Sequence, residues 1–182
     1  MKKTDARVRY TIKALKEALL SLLAVKPINK ITVKEVCEKA ELNRATFYTH
    51  FDDCFDLLES IEADLLGDFE KSLRYVDSLD IPSLVAAIYD MIEQNEEICR
   101  VLVFGNKNAA VIRKMIERAR QQSIQSWKKE LKKATSDELE MLFTHLSNGL
   151  MSVIVDGYAR YPKETVIRFV NRTVKCSLDA FR

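Results

Sequence analysis

The sequence contains few of the residues that build tight turns, and its cysteines form no recognisable framework. Only four glycines and three prolines occur among 182 residues. A protein of many short strands needs more turn residues than this, so the composition argues against one. The four cysteines are widely spaced and include no Cys-x-x-Cys pair. We therefore expect no disulfide framework or zinc knuckle, and a protein of the reducing cytoplasm.

Long apolar runs and familiar catalytic signatures are missing as well. No uncharged apolar run approaches the roughly 18 residues of a membrane span, and charges interrupt the apolar stretch near the start, which argues against a signal peptide. No P-loop, Rossmann, HExxH or GxSxG signature occurs. The only two histidines, His50 and His145, are far apart in the sequence. We expect no membrane association, no metal or other cofactor, and no enzyme activity.

The charge that is present is unevenly distributed. The chain is 47% hydrophobic and 31% charged, which is typical of a folded protein. Residues 1–50 hold eleven Lys or Arg against five Asp or Glu, whereas residues 51–182 hold eighteen against twenty-two. A basic first quarter indicates a segment that binds a polyanion. Chance variation of surface charge explains the asymmetry equally well.

Apolar spacing and capping residues predict helices along nearly the whole chain. Apolar residues between Val8 and Leu22 recur at steps of three and four, which places them on one helical face. Thr32 and Glu35 have the spacing of a capping box, and Asn43 is a good N-cap for a helix reaching about residue 51. Further helices are predicted at about 53–75, 82–95, 97–104, 109–133, 136–160 and 163–180.

Residues 32–51 thus predict a helix, a four-residue turn and a second helix, preceded by a longer one. This order is typical of a helix-turn-helix within a three-helix bundle. The positions expected to face the core are Val33, Val36, Cys37, Ala40, Leu42, Phe47 and Phe51. The positions of the last helix expected to face outward are Arg44, Thr46, Tyr48, Thr49 and His50.

The stretch "ITVKEVCEKAELNRATFYTHFDDCFDLLESI" resembles the DNA-binding segment of the TetR/AcrR family of bacterial transcription regulators. The match covers roughly residues 8–66, and the remaining residues resemble the family's variable regulatory domain only in outline. The resemblance implies an all-α fold in two domains. Residues 1–52 would form the helix-turn-helix DNA-binding domain, and residues 53–182 a helical bundle for effector binding and dimerisation.

The resemblance also implies a set of residues that bind DNA. Arg44 and Thr46 are candidates for contacts with base edges, Arg for guanine and the Thr methyl for thymine. Tyr48 and His50 would contact phosphates, as Thr32 would from the start of its helix. Each residue also has an ordinary structural explanation as a cap or a half-buried side chain. The complete predicted set is Thr32, Lys34, Asn43, Arg44, Thr46, Tyr48, Thr49 and His50.

Two positions depart from the family's pattern. Glu41 stands where the family usually has Gly, at a point where a left-handed backbone is expected and a side chain costs about 1 kcal/mol. Cys54 stands where the family commonly has a Lys that binds phosphate. The neighbouring Asp52 and Asp53 add negative charge, so we expect weaker DNA binding than is usual in the family. We expect the Cys54 thiol to be unreactive.

The remaining implications concern a second copy of the chain and a small molecule. The residues predicted to line an effector pocket are Tyr89, Phe104, Met115, Trp127 and Met151. The residues predicted at a homodimer interface are Leu142, Leu146, Gly149, Val153, Phe169, Val170 and Val174. Ordinary core packing is the alternative explanation for both sets. The resulting prediction is a dimeric repressor that binds a palindromic DNA operator and is released by an effector; the alternative is an adaptor or coactivator acting through protein partners.

Overall fold

A computed structural model of the chain describes residues 3–105 and 109–182, and within these ranges it contains helices and no strand. The all-α fold class is therefore confirmed. The α-helices are α1 (Lys3–Leu23), α2 (Val33–Lys39), α3 (Arg44–Tyr48), α4 (Cys54–Ser72), α5 (Ile81–Gln94), α6 (Glu96–Leu102), α7 (Ala109–Glu130), α8 (Ser136–Gly157) and α9 (Lys163–Asp179). Two 3₁₀ turns lie at Ile28–Lys30 and Leu73–Tyr75.

The described chain divides into two compact units. The head unit contains residues 3–65 together with 97–105, and the body unit contains residues 66–96 together with 109–182. The division falls within α4. The predicted domains, residues 1–52 and 53–182, are segments that would each fold by themselves. That boundary stays a prediction.

In the head unit, α1 packs on α2 and α2 packs on α3. The largest fully buried side chains of this unit come from α1, α2, α3 and α4, and they are Leu15, Leu19, Val36, Phe47, Leu57, Ile61 and Leu65. Burying each such side chain contributes about 1.5–3 kcal/mol. The Lys16 ammonium donates to the Asp64 carboxylate at 2.6 Å and to the Ser60 carbonyl at 3.3 Å, which ties α1 to α4. This packing holds the short α3 against longer helices.

In the body unit, α5 packs against α9, and α8 packs against both α7 and α9. The helix starts carry the expected signals, since the Asp80 carboxylate accepts from the Ser83 amide at 3.1 Å and Pro162 precedes α9. The buried residues of α9, each four positions after the last, are Val166, Val170, Val174 and Leu178. The spacing of four puts all of them on one face, which is the face packed on α5 and α8.

None of the helices in the described part of the chain has the length and apolar character needed to cross a membrane. No group of His, Cys, Asp and Glu side chains within residues 3–105 and 109–182 is placed to hold a metal ion.

Candidate DNA-binding surface and ligand cavity

The start of α2 is fixed by the predicted capping box. The Glu35 amide donates to the Thr32 hydroxyl at 3.3 Å, and the Thr32 amide and hydroxyl donate to one Glu35 carboxylate oxygen at 3.0 and 2.9 Å. The other carboxylate oxygen accepts from the Lys26 ammonium. This hydrogen bond from Lys26, followed by those from Thr32, lowers the pKa of Glu35 to about 2. A phosphate that approaches Thr32 must therefore compete with an ionised carboxylate.

The start of α3 is fixed by Asn43. Its side-chain oxygen accepts from the Thr46 amide at 2.7 Å and from the Thr46 hydroxyl at 3.0 Å. The Thr46 hydroxyl is thus engaged in the cap, and its half-buried side chain offers mainly its methyl group to a partner. The Asn43 side-chain NH₂ group makes no hydrogen bond to the described part of the chain, so two donors remain available for phosphate.

Arg44 and Tyr48 form the most accessible part of α3. Both are exposed, and 57% of Tyr48 is accessible to solvent. Neither the Arg44 guanidinium nor the Tyr48 hydroxyl bonds to any residue in the described ranges. The edge of the Tyr48 ring packs on Phe47, with the ring centroids 5.5 Å apart. Phe47 is fully buried, so it holds the helix in place while Tyr48 presents a free hydroxyl.

The remaining predicted DNA contacts flank this pair. The exposed Thr49 returns its hydroxyl to the Ala45 carbonyl at 2.9 Å. His50 is half-buried, with its ring centroid 6.5 Å from that of Phe51, and its imidazole makes no hydrogen bond to the described residues. The Lys34 ammonium lies 3.6 Å from the exposed Glu38 carboxylate, a pairing worth little at a surface. Lys34 and His50 are therefore both free to contact phosphate.

One exposed position of α3 escaped the sequence-based prediction. Ala45 is exposed and precedes Tyr48 and Thr49 by three and four residues, so it shares their face of the helix. A residue without a polar side chain gives no signal in a search for hydrogen-bonding groups. Its methyl group can nevertheless contact a thymine methyl, and its small size lets the helix backbone approach the bases.

The turn before α3 has the predicted left-handed backbone. Glu41 is exposed and has φ of 55°. This confirms the expectation that a residue with a side chain adopts a left-handed backbone here. The Leu42 amide donates to the Cys37 carbonyl at 2.9 Å, which closes the end of α2. The strain costs about 1 kcal/mol, and the carboxylate adds negative charge beside α3.

Asp53 caps the start of α4. The Asp53 carboxylate accepts from the Phe55 and Asp56 amides at 2.7 and 2.9 Å, whereas the Asp52 amide donates to Asp56 at 2.9 Å. Cys54 follows and is only 5% exposed. Burial, and then the charge of Asp53, raises the pKa of the Cys54 thiol. This agrees with the expectation of an unreactive thiol.

The body unit contains a partly open apolar cavity of about 70 Å³. Its wall is formed by Phe69, Leu73, Val76, Ile81, Leu84, Ile88, Ile116, Ala119, Ser123, Trp127, Phe143, Leu146, Ser147, Leu150, Met151 and Val174. Two of the five residues predicted to line an effector pocket, Trp127 and Met151, belong to this wall. Tyr89 and Met115 are buried in the same unit but are not part of the wall, and Phe104 belongs to the head unit.

Tyr89 has a distinct environment within the core of the body unit. It is 2% exposed, its ring centroid lies 5.4 Å from that of Tyr158, and its hydroxyl has no hydrogen-bond partner among the described residues. Burial first, and then Tyr158, raises the pKa of the Tyr89 phenol. The Lys163 ammonium lies 5.8 Å from the ring centroid, a cation–π distance.

The residues predicted at a dimer interface fall into two groups. Leu142, Val170 and Val174 are buried within the single chain. Gly149 and Phe169 are exposed, and Leu146 and Val153 are half-buried. Met141 of α8 is 63% exposed, although it is not among the residues predicted at the dimer interface. Met141 and Gly149 of α8 and Phe169 of α9 are therefore exposed in the single chain.

Known proteins are similar to this chain over part of its sequence and over most of its fold. No family model matches the chain. The curated "Uncharacterized HTH-type transcriptional regulator YxbF" of Bacillus subtilis (strain 168) is 39% identical over 59 residues, which are 32% of this chain and 16% of that protein. The similarity thus spans about a sixth of the length of that relative.

Solved structures are similar over almost the whole chain. A transcriptional regulator of the TetR/AcrR type from Aquifex aeolicus VF5 has a TM-score of 0.67 at 15% identity, covering 91% of this chain and 98% of its own. The fatty acid degradation regulator FadR from Bacillus halodurans has a TM-score of 0.61 at 15% identity, covering 90% and 94%. The chain therefore has the fold of TetR/AcrR-family transcriptional regulators, and the resemblance inferred from the sequence is confirmed at the level of the fold.

Proposed function

We propose that the protein is a homodimeric transcription regulator of the TetR type, a repressor that binds a palindromic double-stranded DNA operator and is released by a small-molecule effector. The observation that carries this proposal is the exposed face of α3. There a free arginine, a free tyrosine hydroxyl and a small alanine project together from a helix held by a buried phenylalanine. These side chains have the chemistry for base edges and phosphates.

A second copy of the chain is supported by Gly149. A Cβ added at this position would meet no atom within 4 Å, so packing within one chain does not require the glycine. A glycine inside a helix nevertheless costs about 1 kcal/mol relative to alanine. Close approach of a partner helix explains it, and the exposed Met141 and Phe169 offer apolar surface to the same partner. A two-fold dimer would then present two α3 helices to two half-sites about 34–36 Å apart.

The effector is supported by the cavity in the body unit. Its wall is almost entirely apolar, which suits a small hydrophobic or amphipathic molecule. Such a molecule acts as an effector if it binds more tightly to a state whose α3 helices no longer match the operator spacing. The helix α4, which has residues in both units, is the proposed connection between cavity and DNA.

The second candidate function is an adaptor or coactivator that works through protein partners. The exposed carboxylates of Glu41, Asp52 and Asp53 at the two ends of α3 favour it, because they oppose the approach of phosphates. The unpaired Arg44 and the phosphate donors nearby favour direct DNA binding instead.

Selection of bound DNA from a random pool, repeated at several salt concentrations, separates the two functions. A regulator enriches a palindrome, and its affinity falls as salt rises because phosphate contacts release counterions. Failure to enrich any palindrome, together with salt-independent retention of DNA, would rule out direct operator binding and leave the adaptor.

A further inference from the structure

The wall of the body-unit cavity contains no charged residue. Fourteen of its sixteen residues are apolar, and the other two are Ser123 and Ser147. A carboxylate or ammonium group inside this cavity would lose its hydration without gaining an ionic partner. The interior therefore selects against charged ligand groups, even though it has the apolar surface to bind a hydrocarbon chain.

The two serines of the wall differ in what their hydroxyls do. Ser147 is half-buried, and its hydroxyl lies 3.5 Å from the Thr144 carbonyl one turn earlier. Ser123 is only 5% exposed, and its hydroxyl forms no hydrogen bond with any described residue. A serine within a helix can face solvent or donate to a carbonyl in the preceding turn. Ser123 thus leaves a donor and an acceptor unused beside an apolar space.

We propose that this cavity takes small neutral molecules that are largely hydrocarbon and carry one hydrogen-bonding oxygen, such as an alcohol. Ser123 supplies the hydrogen bond to that oxygen and is the specificity-determining residue. Because the Ser123 hydroxyl has no partner among the described residues, a ligand that bonds to it gains over one that does not. These molecules are the ligand class of the effector cavity in the proposed regulator. Their role as effectors rests on the proposed function, whereas their binding does not.

The size of the cavity limits the ligand. Its volume of about 70 Å³ is smaller than the roughly 150 Å³ of an engineered apolar cavity that takes up benzene. Short unbranched chains therefore fit best. Each added methylene that is buried should raise affinity about fourfold until the cavity is full.

Trp127 provides a direct readout, because it is the only tryptophan in the chain and belongs to the wall. The protein without DNA is titrated with 1-butanol, 1-hexanol and 1-octanol, and with butanoate and butylammonium as charged probes matched in length to 1-butanol. We expect 1-butanol to change the Trp127 emission saturably and the two ions to bind at least about tenfold more weakly. Equal binding of either ion, or no response to any alcohol, would overturn the proposal.

Ser123→Ala tests the hydrogen bond, with Ser126→Ala as its matched control. Ser126 lies on the same helix and is 6% exposed, but it is not part of the wall, and its hydroxyl lies 3.4 Å from the Asp77 carbonyl. Ser123→Ala should weaken 1-butanol binding about 2- to 13-fold, and should leave the binding of 1-chlorobutane, a poor hydrogen-bond acceptor, unchanged. Ser126→Ala should change neither. Equal effects of the two variants, or an equal loss for both probes, would contradict the role of Ser123.

The experiment separates this inference from the proposed function. Ligand binding is measured without DNA, so failure to find an operator leaves its result intact. If 1-butanol binds as expected but does not change the affinity for a selected operator, the ligand class stands and its role as an effector is wrong.

Discussion

Two helices of this protein, α2 in the head unit and α8 in the body unit, begin with the same capping box. In α2 the Thr32 hydroxyl donates to Glu35 at 2.9 Å and accepts from its amide at 3.3 Å; the corresponding distances for Thr135 and Glu138 are 2.9 and 3.2 Å. The geometry of the two caps is nearly identical because it depends on residues within four positions of each other.

The two caps differ in the residue that reaches them from elsewhere. Lys26, which precedes α2, bonds to Glu35 and is the first cause of a pKa of about 2. The pKa of Glu138 is lowered by the Thr135 amide and then by the Thr135 hydroxyl, and no lysine is among the causes. A cap is therefore a local structure, whereas its charge environment depends on how the surrounding chain is arranged.

The largest expected effect is a loss of DNA sequence discrimination when Arg44 in the head unit is substituted. If Arg44 contacts a base, Arg44→Ala should lose about 1–3 kcal/mol of discrimination at one base pair and leave the rest of the preference intact. Competition binding with operator variants measures this. Arg118→Ala, which removes an exposed arginine of the body unit paired with Glu70 at 2.8 Å, is the control and should leave sequence preference unchanged. An unchanged preference in Arg44→Ala would show that another residue reads the base.

The two caps can be compared directly by substituting their threonines. Thr32→Ala and Thr135→Ala should each cost about 1 kcal/mol of unfolding free energy, because each removes one N-cap. Denaturant titration measures these losses. Only Thr32→Ala should also weaken binding to all DNA sequences alike. Equal DNA affinities of the two variants would mean that Thr32 is a cap and makes no contact with phosphate.

Substitution of Glu41 separates backbone strain from charge. Glu41→Gly should stabilise the protein by up to about 1 kcal/mol, since glycine adopts φ of 55° without strain. Glu41→Gln removes the charge but keeps the strain, so its stability should stay close to that of the parent. Both should bind DNA more tightly at low salt. If only Glu41→Gly binds more tightly, the charge of Glu41 does not oppose DNA.

The smallest expected effect is a change in titration at the head cap. The pKa of Glu35 is about 2, below its ordinary 4.5, so its contribution to stability is fully present above pH 4.5 and is lost as the pH falls through about 2. Lys26→Met should raise the pKa of Glu35 and move this loss to higher pH. A carboxyl NMR titration of the parent protein and of Lys26→Met tests this. An unchanged Glu35 pKa would contradict the assignment of Lys26 as the first cause.

Much of the head unit was predictable because its signals are local. The Thr32 cap, the Asn43 cap and the left-handed Glu41 all follow from residue types at fixed spacing, and the structure contains all three. Ala45 was missed because exposure on a helix face is visible only once the helix is placed. The hydrogen bond from the Thr46 hydroxyl to the Asn43 cap was not predicted, because the spacing of a cap specifies the backbone amide that it accepts from and not the rotamer of a neighbouring hydroxyl.

The body unit was predictable in its helices but not in its interior. The predicted ranges of 136–160 and 163–180 correspond to α8 and α9 within a few residues. The cavity wall joins residues of α4, α5, α7, α8 and α9 that lie far apart in the sequence. A sequence does not show which large apolar side chains line a cavity, so Trp127 could not be distinguished from Met115 as a lining residue. For the same reason, Ser123 could not be distinguished from Ser126.

The sequence by itself determined where the helices of this protein begin and end, which caps hold them, and which short helix carries exposed arginine and tyrosine. These features depend on interactions across three or four residues, which the order of residues specifies directly. Only the tertiary structure decided that Lys26 reaches Glu35, that Asp53 rather than Asp52 caps α4, and that Ser123 lies unpaired in an apolar wall. These features depend on how side chains from separate segments meet, and spacing along the chain does not encode that.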